Sequence, residues 1–233
     1  SDFKLIGQAD QSWHGIGVTV PELAEQFLVI TAAGSFFRTA RTDPARFCGI
    51  VQLDADGSKY RMVWGFRDGG RPTSELAAHM LNQAAALSRT DGTSRAIYHA
   101  HCPNVIALST LIEPSAKAWA KALWRCMTEY VLFLPNGVGV VPWMVAGDAR
   151  IAEESALCMQ EAPAVVWTQH GLLTSGVDCD TAFGLAEMVE KAAGIYLKAR
   201  MANGGKEPPF TVNDGQLRET CEAFGIELNE DLL

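Results

Sequence analysis

The stretch "GIVQLDADGSKYRMVWG", from Gly49 to Gly65, limits the possible folds more than any other part of the chain. Gly49 to Leu53 and Tyr60 to Gly65 are short apolar runs, and "DADG" (Asp54 to Gly57) between them supplies turn residues. The segment therefore reads as an antiparallel hairpin. A hairpin has an apolar face that other elements must cover, and the rest of the chain offers both strands and helices. Phe27 to Thr31 ("FLVIT") runs into "TAAGS", a strand followed by a small-residue turn. From Thr73 the spacing turns helical, with Leu76, His79, Met80 and Ala84 on one face and Thr73 or Ser74 as cap. Ala96, Ile97 and Tyr98 lead into another strand. Further helices are expected over about Ser115 to Met127, Asp148 to Met159, Asp180 (as N-cap) to Met201, and Asp214 to Phe224. Gly204-Gly205 stops the long one. Tyr130 to Pro135 ("YVLFLP") and Ala164 to Thr168 ("AVVWT") read as strands. The expected class is α/β, a single domain over residues 1–233 with a central, mostly antiparallel β-sheet flanked by helices.

The composition excludes several roles. A chain of 233 residues can bury a full core without staples, and 48% hydrophobic with 20% charged residues is ordinary for a globular protein. A net charge of −8 argues against a nucleic-acid partner, which needs a basic surface. No apolar run approaches 18 residues and no signal-peptide pattern occurs, so no membrane partner is expected. Six cysteines are scattered without a CxxC pair, which reads as reduced thiols in the cytoplasm.

The chemistry concentrates in "AIYHAHCPNVIALS" (Ala96 to Ser109). On a strand, side chains alternate faces, so His99 and His101 project from one face, roughly 6–7 Å apart. Two imidazoles so placed can meet on one metal ion. HxH pairs also occur as ordinary surface or core histidines. Cys102 points to the opposite face and reads as a structural thiol rather than a nucleophile. His170 closes the strand Ala164 to Thr168, with Gly171 allowing a turn. Three histidines at strand positions make a three-nitrogen site with a coordination position left open, the arrangement of catalytic rather than structural zinc. His14 and His79 lack such company and read as solvent-exposed or core-satisfied. Glu75 lies in the first turn of its helix, where a carboxylate suits the dipole. It is either a cap-like acid or a general base beside the metal. Thr73, Ser74 and nearby amides at that helix start form a natural phosphate cradle.

"ITAAGSFFR" (Ile30 to Arg38), "PTSELAAH" (Pro72 to His79), "HAHCPNVIAL" (His99 to Leu108), "FLPNGVGVVPWMVAG" (Phe133 to Gly147) and "QHGLLTSG" (Gln169 to Gly176) together resemble the class II aldolase/adducin-head family. The likeness extends over Val18 to Leu228. It implies an α/β fold and a fourfold ring, that is, a homotetramer. It makes His99, His101 and His170 ligands of Zn2+, and Glu75 the acid/base next to the metal. Thr73 and Ser74, with the turn containing Thr31, Ala33 and Gly34, become phosphate contacts. Glu129, in "MTEYV", matches an acid that the family brings to the site from a neighbouring subunit. The implied activity is that of a lyase acting on a small sugar phosphate: reversible cleavage of L-rhamnulose 1-phosphate to dihydroxyacetone phosphate and L-lactaldehyde.

The chain departs from the family's pattern at two places. Ala33 stands where the family usually offers a serine hydroxyl, leaving the backbone amide to serve the phosphate. The family's opening helix and its Gly-Gly-Asn loop are not found ahead of Ser1-Asp2-Phe3, so that helix is expected to be absent, and the opening residues carry no assigned role. Three other readings compete. A sugar-phosphate aldolase, epimerase or dehydratase of the same fold uses the same triad. The adducin head is a non-enzymatic relative, disfavoured by the retained histidines and Glu75. A closed structural zinc site lacks a fourth ligand.

Overall fold

Among residues 12–233, which the computed structural model describes, eight strands form two four-stranded sheets. The expectations for the segment ahead of Ser12 lie outside the described residues.

The first sheet belongs to a unit made of Ser1–Ala84 and Gly147–Ala152. Its strands are β1 (His14–Gly15), β2 (Phe27–Thr31), β3 (Cys48–Leu53) and β4 (Lys59–Gly65), in the order β1-β4-β3-β2 and antiparallel throughout. The hairpin expected from sequence is β3–β4, with Leu53 opposite Tyr60. Its turn is closed by the Asp54 carboxylate, which accepts from the amides of Ser58 (2.9 Å) and Lys59 (3.0 Å). Gly57 has φ +73°, and a Cβ there would stand 2.2 Å from the Val20 carbonyl oxygen, so only glycine fits. On β3, Gly49, Val51 and Leu53 are buried and alternate with half-buried residues, the period of two that a covered sheet face demands. The one-turn helix α1 (Pro44–Phe47) starts at Pro44, with Asp43 as its cap. Helix α2 (Leu76–Arg89) follows the Thr73–Glu75 turn.

The second unit comprises Ala85–Ala146 and Glu153–Leu233. Along the chain come β5 (Ala96–Ala100), α3 (Pro103–Leu108), α4 (Ala116–Trp124), α5 (Tyr130–Phe133), β6 (Gly139–Val141), α6 (Ala149–Glu161), β7 (Ala164–Trp167), β8 (Gly171–Gly176), α7 (Cys179–Ala202) and α8 (Asp214–Ala223). The sheet order is β5-β8-β7-β6, antiparallel except for the parallel pair β6–β7. Every residue of β7 and β8 is buried, so this sheet is covered on both faces. Trp119, Leu123 and Trp124 of α4, Tyr130 and Val131 of α5, Val166, Leu172, and Val189, Ala192 and Ala193 of α7 form one apolar cluster. The small alanines of α7 let that helix lie close to its neighbours.

The class is as expected, α/β with mostly antiparallel pairing and flanking helices, although the strands are divided between two sheets. Several local features differ from the expectation. Tyr130 to Pro135 is a helical turn rather than a strand: Leu134 N–H donates to the Tyr130 carbonyl, and Pro135 ends the turn. Short apolar runs carry no period that separates the two states. Strands β6 and β8 and helix α3 were not foreseen. Asp178, rather than Asp180, caps α7, accepting from Thr181 N at 2.7 Å. Asp180 falls inside the first turn, where the dipole also favours it. No helix among the described residues is long and apolar enough to cross a membrane, and all six cysteines are free.

Candidate active site

The histidines sit where β5 and the β7–β8 turn come together in the second unit. His99 is in the β5–β8 ladder opposite Leu173, and His101 lies one residue past the end of β5. His170 ends the tight turn from β7, its amide donating to the Trp167 carbonyl at 3.1 Å. The ring centroids are 5.1 Å (His99–His101), 5.2 Å (His99–His170) and 5.0 Å (His101–His170) apart. One ligand nitrogen from each ring lies within 4.8 Å of the others. His99 Nδ1 stands 3.1 Å from the Leu172 carbonyl oxygen. A carbonyl only accepts, so Nδ1 carries the proton and the lone pair is on Nε2, the tautomer that a metal ligand requires. Trp167 forms an apolar wall 5.0 Å from both His99 and His170, pinned by its Nε1–H donating to Ser155 Oγ. His101 is exposed, so the cluster has one open side. Three imidazole nitrogen donors with an open side fit a zinc ion that keeps a position for substrate.

Gly171 has a different task from the one expected. The left-handed residue of the turn is Gln169 (φ 60°). Gly171 instead begins β8, where a Cβ would meet the Ala100 carbonyl oxygen at 2.5 Å and His99 Cε1 at 3.2 Å. Its missing side chain lets β8 approach β5 beside the His99 ring.

The phosphate candidates and Glu75 belong to the first unit. Thr73 N–H donates to the Thr31 carbonyl (3.0 Å), and Ala33 N–H donates to the Arg71 carbonyl (2.9 Å). The turn after β2 and the lead into α2, which carry Thr31, Gly34, Thr73 and Ser74, are thus hydrogen-bonded to one another. Ala33 itself brings little to a phosphate here. Its amide is already committed to Arg71, and its side chain has no donor. Gly34, with φ +70° and open space where a Cβ would be, remains accessible to a ligand. Just ahead of α2 the Glu75 amide donates to Thr73 Oγ1 at 3.4 Å. Glu75 is only 9% exposed. The Glu75 carboxylate is thus withdrawn from bulk water beside the start of α2. One turn on, burial holds the His79 imidazole below its ordinary pKa, opposed by the Glu75 carboxylate. That agrees with a core role for His79.

Residues 5–197 match the family described as the class II aldolase and adducin N-terminal domain. The chain belongs to this family. It is 38% identical over 207 residues to the rhamnulose-1-phosphate aldolase of Pectobacterium atrosepticum, covering 89% of this chain and 74% of that one. Among solved structures it is similar to a sugar-phosphate aldolase from Thermotoga maritima (26% identity, TM-score 0.70, 88% of this chain and 91% of that one). It is also similar to an L-fuculose 1-phosphate aldolase (25% identity, TM-score 0.56, 86% and 81%).

Cys102 is buried, and its thiol is pushed up to about 11, first by burial and then by the Glu190 carboxylate. It is no nucleophile. Glu129 is exposed at the N-cap position of α5 without capping it, and the histidine group of its own chain does not include it. Trp167 went unnoticed at the sequence level because it reads simply as the last apolar residue of a strand. Its place three residues before His170 was the available signal.

Proposed function

We propose that this class II aldolase is a zinc-dependent lyase that reversibly cleaves L-rhamnulose 1-phosphate into dihydroxyacetone phosphate and L-lactaldehyde. The observation that carries the proposal is the meeting of three imidazoles with the tautomer of a metal ligand at His99. The choice of sugar rests on the likeness to rhamnulose-1-phosphate aldolases. His99, His101 and His170 hold the ion. Zinc supplies, when bound, a Lewis acid for the negative charge that carbon–carbon cleavage leaves on the three-carbon phosphate. The chain's own groups do the rest. Thr31, Thr73 and Ser74 offer hydroxyls, and Gly34 an amide, to the phosphate, whose charge suits the start of α2. Glu75 gives a proton to the carbon released by cleavage and, in the direction of synthesis, removes one from it. Its burial keeps the carboxylate away from competing water. The setting is cytoplasmic, in a homotetramer of fourfold symmetry.

The test is to supply L-rhamnulose 1-phosphate and L-fuculose 1-phosphate separately and couple the dihydroxyacetone phosphate formed to reduction by NADH. Faster turnover of the rhamnulose ester is expected. Preference for the fuculose ester would move the enzyme to another aldolase of the same fold, and no triose phosphate from either would revive the epimerase, dehydratase or adducin-head readings.

Glu129 serves, on this reading, the metal site of a neighbouring subunit. In a ring, head-to-tail interfaces present the same two surfaces at every junction. Inactive Glu75→Ala and Glu129→Ala chains, mixed after dissociation and reassembled, should then recover activity at about a quarter of the sites, because half the chains keep each residue. Zero recovery from rings shown to be mixed would place both residues in one chain's site.

A further inference from the structure

The three histidines are not held in the same way. His99 is locked into the β5–β8 ladder, whereas His101 lies beyond the ladder and His170 lies in a turn. Helix α3 connects these two looser ligands. It begins at Pro103, two residues after His101, and Ser109 follows its last residue.

At the first end, Cys102 is the N-cap residue and makes no side-chain cap, so the first amides of α3 need an acceptor from elsewhere. Glu190 of α7 provides it. Its carboxylate accepts from Asn104 N (3.0 and 3.1 Å), Val105 N (3.0 Å) and Asn104 Nδ2 (2.8 Å). Gly194, one turn further along α7, makes room for the same asparagine: a Cβ there would meet Asn104 Nδ2 at 3.0 Å. At the other end, the Ser109 hydroxyl donates to the Ile106 carbonyl (2.7 Å) and accepts from Gln169 N (2.8 Å). Gln169 is the left-handed residue immediately before His170.

We propose that α3 is a strut that sets the spacing of His101 and His170, with Glu190 and Ser109 as positioning residues at its two ends. The proposal rests on the reading of the triad as a metal centre. Neither residue touches the ion. Glu190 fixes backbone three and four residues beyond His101, and Ser109 fixes the residue just before His170, and a metal site tolerates only about 0.5 Å of slack in its ligands. Glu190→Gln replaces one of two acceptor oxygens with a carboxamide NH2, a donor facing donors. Ser109→Ala removes the acceptor for Gln169 N.

The experiment measures the zinc dissociation constant by chelator competition, the visible spectrum of the cobalt-loaded protein, and the melting of the metal-free protein, for the unaltered chain and both variants. Both variants should bind zinc about ten- to a hundredfold more weakly. Their cobalt spectra should change, while the metal-free proteins keep their far-ultraviolet circular dichroism. Unchanged zinc affinity and cobalt spectra, with only a lowered melting temperature, would overturn the proposal by reducing both residues to ordinary stabilisers. If Glu190→Gln does not fold, Ser109→Ala decides alone, since it removes one hydroxyl and leaves the α7 contact intact. A parent protein that binds neither zinc nor cobalt would refute the metal reading itself, a failure distinct from loss of the strut.

Discussion

Glu75→Gln is expected to leave the fold and the zinc content intact and to lower turnover by about 10²–10⁴-fold, the usual contribution of a positioned acid/base. The expectation rests on the resemblance that makes Glu75 the acid/base, and on the burial of its carboxylate beside the start of α2. Gln has almost the same shape and cannot exchange a proton at neutral pH. If Glu75 merely steadied the helix, the same substitution would cost at most about 1 kcal/mol of stability and little rate. Turnover of dihydroxyacetone phosphate, zinc per chain and thermal melting, measured together on the variant, separate the two outcomes.

Replacing any one of His99, His101 and His170 by alanine should lower bound zinc and aldol cleavage together, with activity falling to background. A three-ligand site has no protein donor in reserve, so two imidazoles hold a zinc ion far less tightly than three. His99→Ala carries an extra cost, because the ring also takes part in the bond to the Leu172 carbonyl and rests against Trp167. Zinc is read per chain by atomic absorption after dialysis. Full zinc in all three variants would sink the assignment.

Much of this was legible in the sequence where a local rule had one answer. The β3–β4 hairpin announced itself through Asp54 and Gly57, because a turn that needs a carboxylate acceptor and a left-handed residue admits few residue types. His99 in β5 and His101 just past its end could be paired by a period of two, and the third histidine fell into place as the strand Ala164 to Thr168 ended beside it. Other features depended on tertiary context. Tyr130 to Leu134 is apolar because most of it is buried, and burial looks the same in a strand and in a helical turn. The commitment of the Ala33 amide to Arg71 arises between residues nearly forty positions apart, and no local pattern encodes it. The same holds for Gly171, which reads as a turn residue until the nearness of the Ala100 carbonyl is seen. Ser109 and Glu190 look like an ordinary helix end and an ordinary exposed-face acid until their partners are known.

Dependence of aldol cleavage on a metal held by the three imidazoles is tested most directly by one series of rates. Release of dihydroxyacetone phosphate from L-rhamnulose 1-phosphate is followed on the protein as isolated, after removal of metal by a chelator, and after addition of one equivalent of zinc. Cleavage should be lost on chelation and return with zinc. An undiminished rate in the chelated protein, shown to be free of metal, would contradict it.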